Sequence, residues 1–435
     1  MFKIAFRNVL RNGRRSLMTA LSIIVGATAL ILLGEYNGTI KVGMETGIVR
    51  GIGHLSVFKT GGFDAGSSRP GLYSIEKFEH VLEVIRNDPE LKSLITVATP
   101  RVTLGGIAGN SAVDKSKTFF ATGLIPSDKD KMNHWDGYGI AGSNRPDSGM
   151  SDSDTHHGIV GVGLARILGL CAQVKLKGCP DNAKAPAGKA PELQLLSGAG
   201  GAPNIVTMAV SEARGQGAKE ADDSYITMHL NLAQQLLYGG GEHKVTTIVV
   251  QLKQPGDLPR AKARLKALFA VNHLDLEVRD FNEVYPMLRQ IQGYFMAMYA
   301  FIGVVMIIIV MFTIANTMSM SVMERTNEIG TARAMGVRRG GIHRQFLLEG
   351  ALLGALGASL GVVLGIVASY VVNQAGITYT PPGNASSVSL FLVTKGNEAL
   401  LAGIWLTLLV ISTLASLVPA NRAAKMKVVD ALRHV

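Results

Sequence analysis

The sequence predicts a membrane α-helical protein with four transmembrane helices and a large α+β extracytoplasmic domain inserted between helices 1 and 2. Three observations predict it. Apolar stretches recur at 17–34, 294–318, 347–372 and 399–418, free of Asp, Glu, Lys and Arg except for Glu349 at one end. Each approaches the ~20 residues that a ~30 Å hydrocarbon core requires. Charged residues make up only 17% of the 435 residues, below the ~25% usual in soluble domains. Finally, Lys and Arg crowd at alternate ends of the stretches, as the positive-inside bias demands.

In chain order, residues 1–16 place Phe2, Ile4, Phe6, Val9 and Leu10 among Lys3, Arg7, Arg11, Arg14 and Arg15, an amphipathic segment for the inner leaflet. The first span follows; it lacks a cleavage site and is read as a retained anchor. Residues 53–59 alternate like a strand, and 74–87 (SIEKFEHVLEVIRN) form an amphipathic helix that Ser74 is placed to cap. Residues 93–104 and 117–122 return to strand-like alternation. Near the far end, 244–253 is a strand, 257–271 a helix opened by Asp257 and Pro259, and 274–279 another strand. Two β-α-β passages thus bracket an α+β subdomain. Between them a second subdomain is expected at about 125–243, with a helix at 160–170, a strand at 204–210, a helix at 229–237, and polar loops at 127–158 and 178–203.

From Pro286 no helix breaker intervenes until about Met323. A helix of about 38 residues measures about 57 Å, so the second span must protrude as a stalk. The resulting division is 1–40, 41–288 and 289–435, with a coupling segment at about 323–346. The basic residues of 1–16, of 323–346 and of the tail (Arg422, Lys425, Lys427, Arg433) belong in the cytoplasm, whereas 373–398 holds only Lys395. Both termini are therefore cytoplasmic and 41–288 lies outside. The net charge of +11 is spread over short cytoplasmic pieces without a nucleic-acid signature, so no nucleic-acid partner is expected.

Cys171 and Cys179 both fall in the exported part, where a disulfide persists; that reading stands ahead of two buried free thiols or a metal pair. No Gly-x-x-x-x-Gly-Lys-Ser/Thr loop is present, so this chain is expected to bind no cofactor of its own, and any ATP and Mg²⁺ sit on a partner. The predicted spans hold no mid-membrane ionisable group, against a proton or ion relay. Gly357-Ala358-Ser359-Leu360-Gly361 fits the serine-hydrolase pattern in letters only, since it lies inside an apolar helix rather than at a strand-to-helix turn. His156 and His157 beside Asp152 and Asp154 read as an acidic loop before they read as a metal site, and the methionines of the second span as adaptable packing.

The organising stretch is 323–365, MERTNEIGTARAMGVRRGGIHRQFLLEGALLGALGASLGVVLG. A charged surface segment runs straight into a helix whose Gly350, Gly354, Gly357, Gly361 and Gly365 share nearly one face, allowing close helix approach in lipid. Glu-Ile-Gly, Arg-Ala-x-Gly and Phe-Leu-x-Glu-Gly within it, Gly53-His54-Leu55 after the first span, and Pro419-Ala420-x-Arg422-Ala423-Ala424 with Ala431-Leu432-Arg433 at the end resemble the MacB/LolC/FtsX-type permeases of ABC transporters, also called mechanotransmitting or type VII.

That resemblance implies two permease chains, identical or different, with an ATPase dimer docked on the surface helix between spans 2 and 3. Glu324, Arg325, Glu328, Ile329, Gly330, Arg333 and Gly336 would form the contact. It implies a permease subunit passing ATP-driven motion to the exported domain to release or export lipoprotein, lipid-linked or hydrophobic cargo, membrane lipid and a periplasmic carrier being further partners. The subunit itself is expected to be non-catalytic. The size of the exported domain and the want of a fused ATPase favour the lipoprotein-releasing LolC/LolE organisation. The alternatives are a MacB-like efflux permease with a periplasmic adaptor and a transmembrane regulator of a cell-wall hydrolase.

Overall fold

Helix α1, Gly13–Ile52, carries the first span on without a break through Glu35 to Arg50, a stretch whose sequence reads as a continuing helix with glycine interruptions; Gly38, Gly43 and Gly51 are tolerated inside it. In this computed structural model the described residues are all except 1–4, 6, 9, 10, 12, 67, 140–146, 180–185, 187, 201, 217, 242, 380–387, 395 and 430–435. Outside them lie most of the apolar residues of the N-terminal segment, Lys395, Ala431-Leu432-Arg433 and parts of both polar loops. The chain divides into a helical unit, 1–41 with 290–377 and 390–435, and an α+β unit, 42–289 with 378–389.

The α+β unit begins with β1 (Leu55–Lys59), then α2 (Phe78–Asn87), α3 (Pro89–Leu94) and the long β2 (Ile95–Asn110). Next come β3 (Lys115–Leu124), α4 (Pro126–Asn133), β4 (His157–Gly161), α5 (Val162–Ile167), β5 (Glu192–Ser197), β6 (Asn204–Arg214), β7 (Tyr225–His229) and α6 (Leu230–Tyr238). It closes with β8 (Thr247–Leu252), α7 (Leu258–Val271) and β9 (Leu276–Asp280). Strands β9, β1, β8 and β2 lie side by side, each antiparallel to its neighbour. Because α2 and α3 join β1 to β2 and α7 joins β8 to β9, these are two interleaved split β-α-β units. Ile248, Val250 and Leu252 of β8 meet Ile85, Leu91 and Leu265 in one core, while Val249 packs with Val97 and Met132 on the opposite face. A strand buried on both faces needs apolar residues on both, as Ile248, Val249 and Val250 of β8 supply; its buried Gln251 donates through Nε2 to Val49 O and Met132 O.

β2 is long because it serves twice. Residues 95–101 pair with β8, and 102–110 pair with β3. From there the order β3, β7, β4, β6, β5 returns to β2 through Ile107, Ala108 and Gly109, closing a six-stranded ring. Its interior holds Phe119, Val160, Leu193, Leu195, Met208, Ile226 and Met228. At the closure, a Cβ on Gly106 would lie 2.2 Å from the Leu196 carbonyl, so only glycine lets the two backbones approach.

Several predicted elements change in detail. Ser74 does not cap the helix after it: Lys77 holds the N-cap place in a left-handed conformation, and Ser74 Oγ bonds Pro70 O and Tyr238 Oη. The helix predicted at 160–170 starts two residues later, after the strand β4, and breaks at Gly169. The loop predicted at 178–203 contains β5, whose Leu193 and Leu195 alternate into the ring. β7 went unread because YITMH carries too short a period to register. Cys171 and Cys179 are joined, with Cα atoms 5.7 Å apart.

In the helical unit α1 is joined by α8 (Pro286–Glu324), α9 (Thr326–Ala334), α10 (Arg339–Gln374), α11 (Glu398–Ala415) and α12 (Leu417–Lys425). Among the described residues four helices are long and apolar enough to cross a membrane: Ser16–Ile52, Pro286–Glu324, Arg339–Gln374 and Glu398–Lys425. The glycine face of α10 is filled from within the unit. A Cβ on Gly350 or Gly354 would fall 1.8 Å from Ser416 Oγ or Ser412 Oγ, and one on Gly357, Gly361 or Gly365 would strike Ile23, Ala27 or Ile31. Spans 1 and 4 thus sit directly on that face. Glu35, one residue beyond the predicted first span, is buried and accepts a hydrogen bond from Ser369 Oγ of α10.

Candidate functional site

α8 ends at Glu324, and Arg325, at φ −102° and ψ 16°, turns the chain into α9. The break sends the Arg325 side chain inward. There its Nη1 donates to Glu349 Oε1 and Oε2 at 3.1 and 3.2 Å, while Nη2 donates to Asn8 O at 3.2 Å. Glu349 Oε1 also accepts from Asn8 Nδ2 at 2.7 Å and Gln345 Nε2 at 3.4 Å. With side chains 6% and 4% exposed, this is a buried ion pair; the two amides on Glu349 Oε1 support it, while Arg325 Nε is buried with no hydrogen-bond partner among the described residues. Three segments therefore meet at one carboxylate: the N-terminal segment, the end of α8 and the start of the α10 span.

α9 is a short lever set on that hub. Its inner side, Ile329, packs with Val322, Ile342, Phe346, Ala420 and Ala423. Its C-terminus is closed by Gly336 at φ +98°, where Val337 N bonds Ala332 O and Gly336 N bonds Arg333 O, a Schellman ending that requires a left-handed residue. Arg333 Nη1 donates to Ala424 O at 2.8 Å, tying α9 to the end of α12. On the outer side Glu328 pairs with Arg11, both more than half exposed, so the N-terminal segment grips α9 at a second point.

The seven residues expected to contact a partner thus separate. Glu324, Glu328 and Gly336 are exposed and Arg333 half-buried, whereas Arg325, Ile329 and Gly330 are buried within the chain. These three present nothing to a partner; they fix the lever to the bundle. Asn8, Gln345 and Glu349 were missed. Glu349 alone left a signal, a charge at the end of an otherwise apolar run.

A second buried polar cluster lies in the α+β unit. His54 Nδ1 accepts from Leu252 N at 3.0 Å, so Nε2 carries the proton, and the ring stands edge-on to Trp135 with centroids 4.9 Å apart. Burial holds this imidazole neutral, pushing its pKa down to about 4. Trp135 donates through Nε1 to Leu252 O at 2.7 Å, and Arg50 Nε donates to Trp135 O at 2.8 Å. The arrangement is structural: it pins the residues after β3 to the open sheet. Among the described residues no group of three or more His, Cys, Asp or Glu is placed to hold a metal ion; His157 Nδ1 instead meets Asp154 at 2.7 Å. Ser359 is inside α10 and accepts from Trp405 Nε1 at 3.0 Å, far from any strand-to-helix turn.

Residues 300–428, which contain the hub's Arg325 and Glu349, match the family described as FtsX-like permease, C-terminal. The macrolide export ATP-binding/permease protein MacB of Neisseria gonorrhoeae is 27% identical over 194 residues, covering 44% of this chain and 28% of that protein. The ABC transporter permease YtrF of Bacillus subtilis is 34% identical over 149 residues, 31% of each chain. The matches therefore span less than a third of these relatives' own lengths. Among solved structures, the extracellular domain of the noncanonic ABC-type transporter YknZ from Gram-positive bacteria aligns with 49% of this chain and 93% of its own, at 14% identity and a TM-score of 0.30.

Proposed function

We propose that this chain, an ABC transporter permease of the MacB/FtsX type, receives ATP-driven motion at α9 and delivers it to its α+β unit across the membrane. The observation that carries the reading is the hub. A lever exposing Glu324, Asn327 and Glu328 is anchored by buried Arg325 and Glu349 to two spans and the N-terminal segment, so a displacement of α9 cannot remain local. An ATPase dimer carrying ATP and Mg²⁺ is the proposed partner, on the cytoplasmic side where the basic residues concentrate. A second permease chain is the other. Because the α10 glycines are occupied within the chain, pairing must use other faces, and α8, only 6% buried along its apolar window, is the barest.

For cargo we favour hydrophobic or lipid-linked molecules handled on the outer face. Similarity to MacB gives a specific reason to hold a second reading, export of a small hydrophobic compound through a periplasmic adaptor. Copurification of the chain from its native membrane separates them, since a lipoprotein carrier and an adaptor differ in size and sequence. The coupling itself is tested by Glu328→Lys: ATPase stimulation by the permease should fall at least tenfold with unchanged melting, and undiminished stimulation would refute docking on α9.

A further inference from the structure

α12 follows α11 at the end of the fourth apolar helix, with Ser416 between them. Its buried face is Pro419, Ala420, Ala423 and Ala424, which lie against α10 and α9. The opposite face carries a shallow, open groove lined by Val418, Asn421, Arg422, Lys425 and Met426. Val418, Arg422 and Lys425 are spaced i, i+4, i+7, so they form one stripe. All three are exposed.

The chemistry of the stripe is split. Val418, at the span end, is 58% exposed and apolar; one to two turns on, Asn421, Arg422 and Lys425 offer donors and two positive charges. α12 itself contains no acidic residue, and among the described residues no carboxylate pairs with Arg422 or Lys425. An acyl chain along Val418 with a phosphate between the two cations satisfies both halves at once, as basic pockets beside spans do for anionic headgroups. A soluble acidic partner would leave Val418 unexplained. We infer that this groove binds the phosphate headgroup of an anionic glycerophospholipid in the leaflet at this end of the bundle.

The site is wired to the lever. Met426, which lines the groove, packs against the cluster containing Ile329, and the Ala424 carbonyl just before Lys425 is held by Arg333 of α9. Headgroup occupancy therefore bears on the coupling segment, yet the binding itself does not depend on the proposed function.

The test uses the full chain, purified in neutral detergent and titrated with phosphatidylglycerol or phosphatidylcholine under native mass spectrometry. Phosphatidylglycerol should bind selectively. Joint replacement Arg422→Ala and Lys425→Ala should weaken it about 30-fold, Arg422→Lys with Lys425→Arg should restore it, and Arg338→Ala with Arg339→Ala, which removes equal exposed charge, should leave it within twofold. Equal losses from both alanine pairs would show general charge attraction and overturn the proposal, as would binding unaffected by the first pair. Displacement by equimolar inorganic phosphate would identify a free-phosphate site and overturn it too.

Discussion

Removing Glu349 tests the hub most severely. In Glu349→Ala, Arg325 stays 5% exposed without its counter-ion, and Asn8 Nδ2 and Gln345 Nε2 lose their acceptor. At an effective dielectric of about 20, charges 3.1 Å apart attract by roughly 5 kcal/mol, offset by desolvation of both ions. Breaking one side of such a pair costs about 3–5 kcal/mol, because the cost of the stranded charge remains. Replacing both with apolar residues, Arg325→Met with Glu349→Leu, removes the attraction and the stranded charge together, leaves only the Asn8 and Gln345 amides to find new partners, and should recover most of the loss. Thermal unfolding of the parent, Arg325→Met, Glu349→Leu and the double variant in one detergent gives the double-mutant cycle. Both single variants should melt well below the parent and the double variant near it. If Glu349→Ala melts with the parent, or if the two losses simply add, the buried pair does not hold the lever.

Three other outcomes follow from the packing. Gly354→Ala would set a Cβ 1.8 Å from Ser412 Oγ and should destabilise by about 1–3 kcal/mol, whereas Gly340→Ala, with nothing within 4 Å, should be neutral in the same melting assay. His54 is neutral when folded, with its pKa lowered to about 4 from 6.5. The unfolded chain takes up the proton first, so stability from this group is intact above pH 6.5 and falls by about 3 kcal/mol as pH drops to 4; hydrogen exchange at the Leu252 amide should accelerate over that window in the parent and less in His54→Ala. Opening the Cys171–Cys179 bond, which closes a loop of sequence separation 8, should cost about 2.5 kcal/mol, read as earlier unfolding of Cys171→Ser with Cys179→Ser.

The spans were legible because length and absence of charge are properties of contiguous residues. So were the split β-α-β flanks, whose α2 and α7 carry helical periodicity and whose β8 holds the β-branched run Ile248-Val249-Val250. The six-stranded ring was not. Its closure depends on β2 meeting β5 some 85 residues away, and on Gly106 admitting the Leu196 carbonyl, which no local period encodes. The glycine stripe announced a close helix contact but not with which helix; Ser412, Ser416 and Ile23 come from distant parts of the chain. At the lever, sequence proximity grouped Arg325 and Ile329 with Glu328, although the turn at Arg325 points two of them inward and one out. Asn8 carried no signal at all, since its role exists only once the N-terminal segment lies beside Glu349.

The central claim is that α9 and the α+β unit lie on opposite sides of one membrane, joined by a chain that transmits force. Single cysteines at Asn327 and at Phe120, both exposed, placed in a chain with Cys171 and Cys179 changed to serine, measure it directly with an impermeant maleimide. In intact spheroplasts Phe120→Cys should label and Asn327→Cys should not, the latter reacting only after the membrane is opened. Labelling of both from one side would contradict the account.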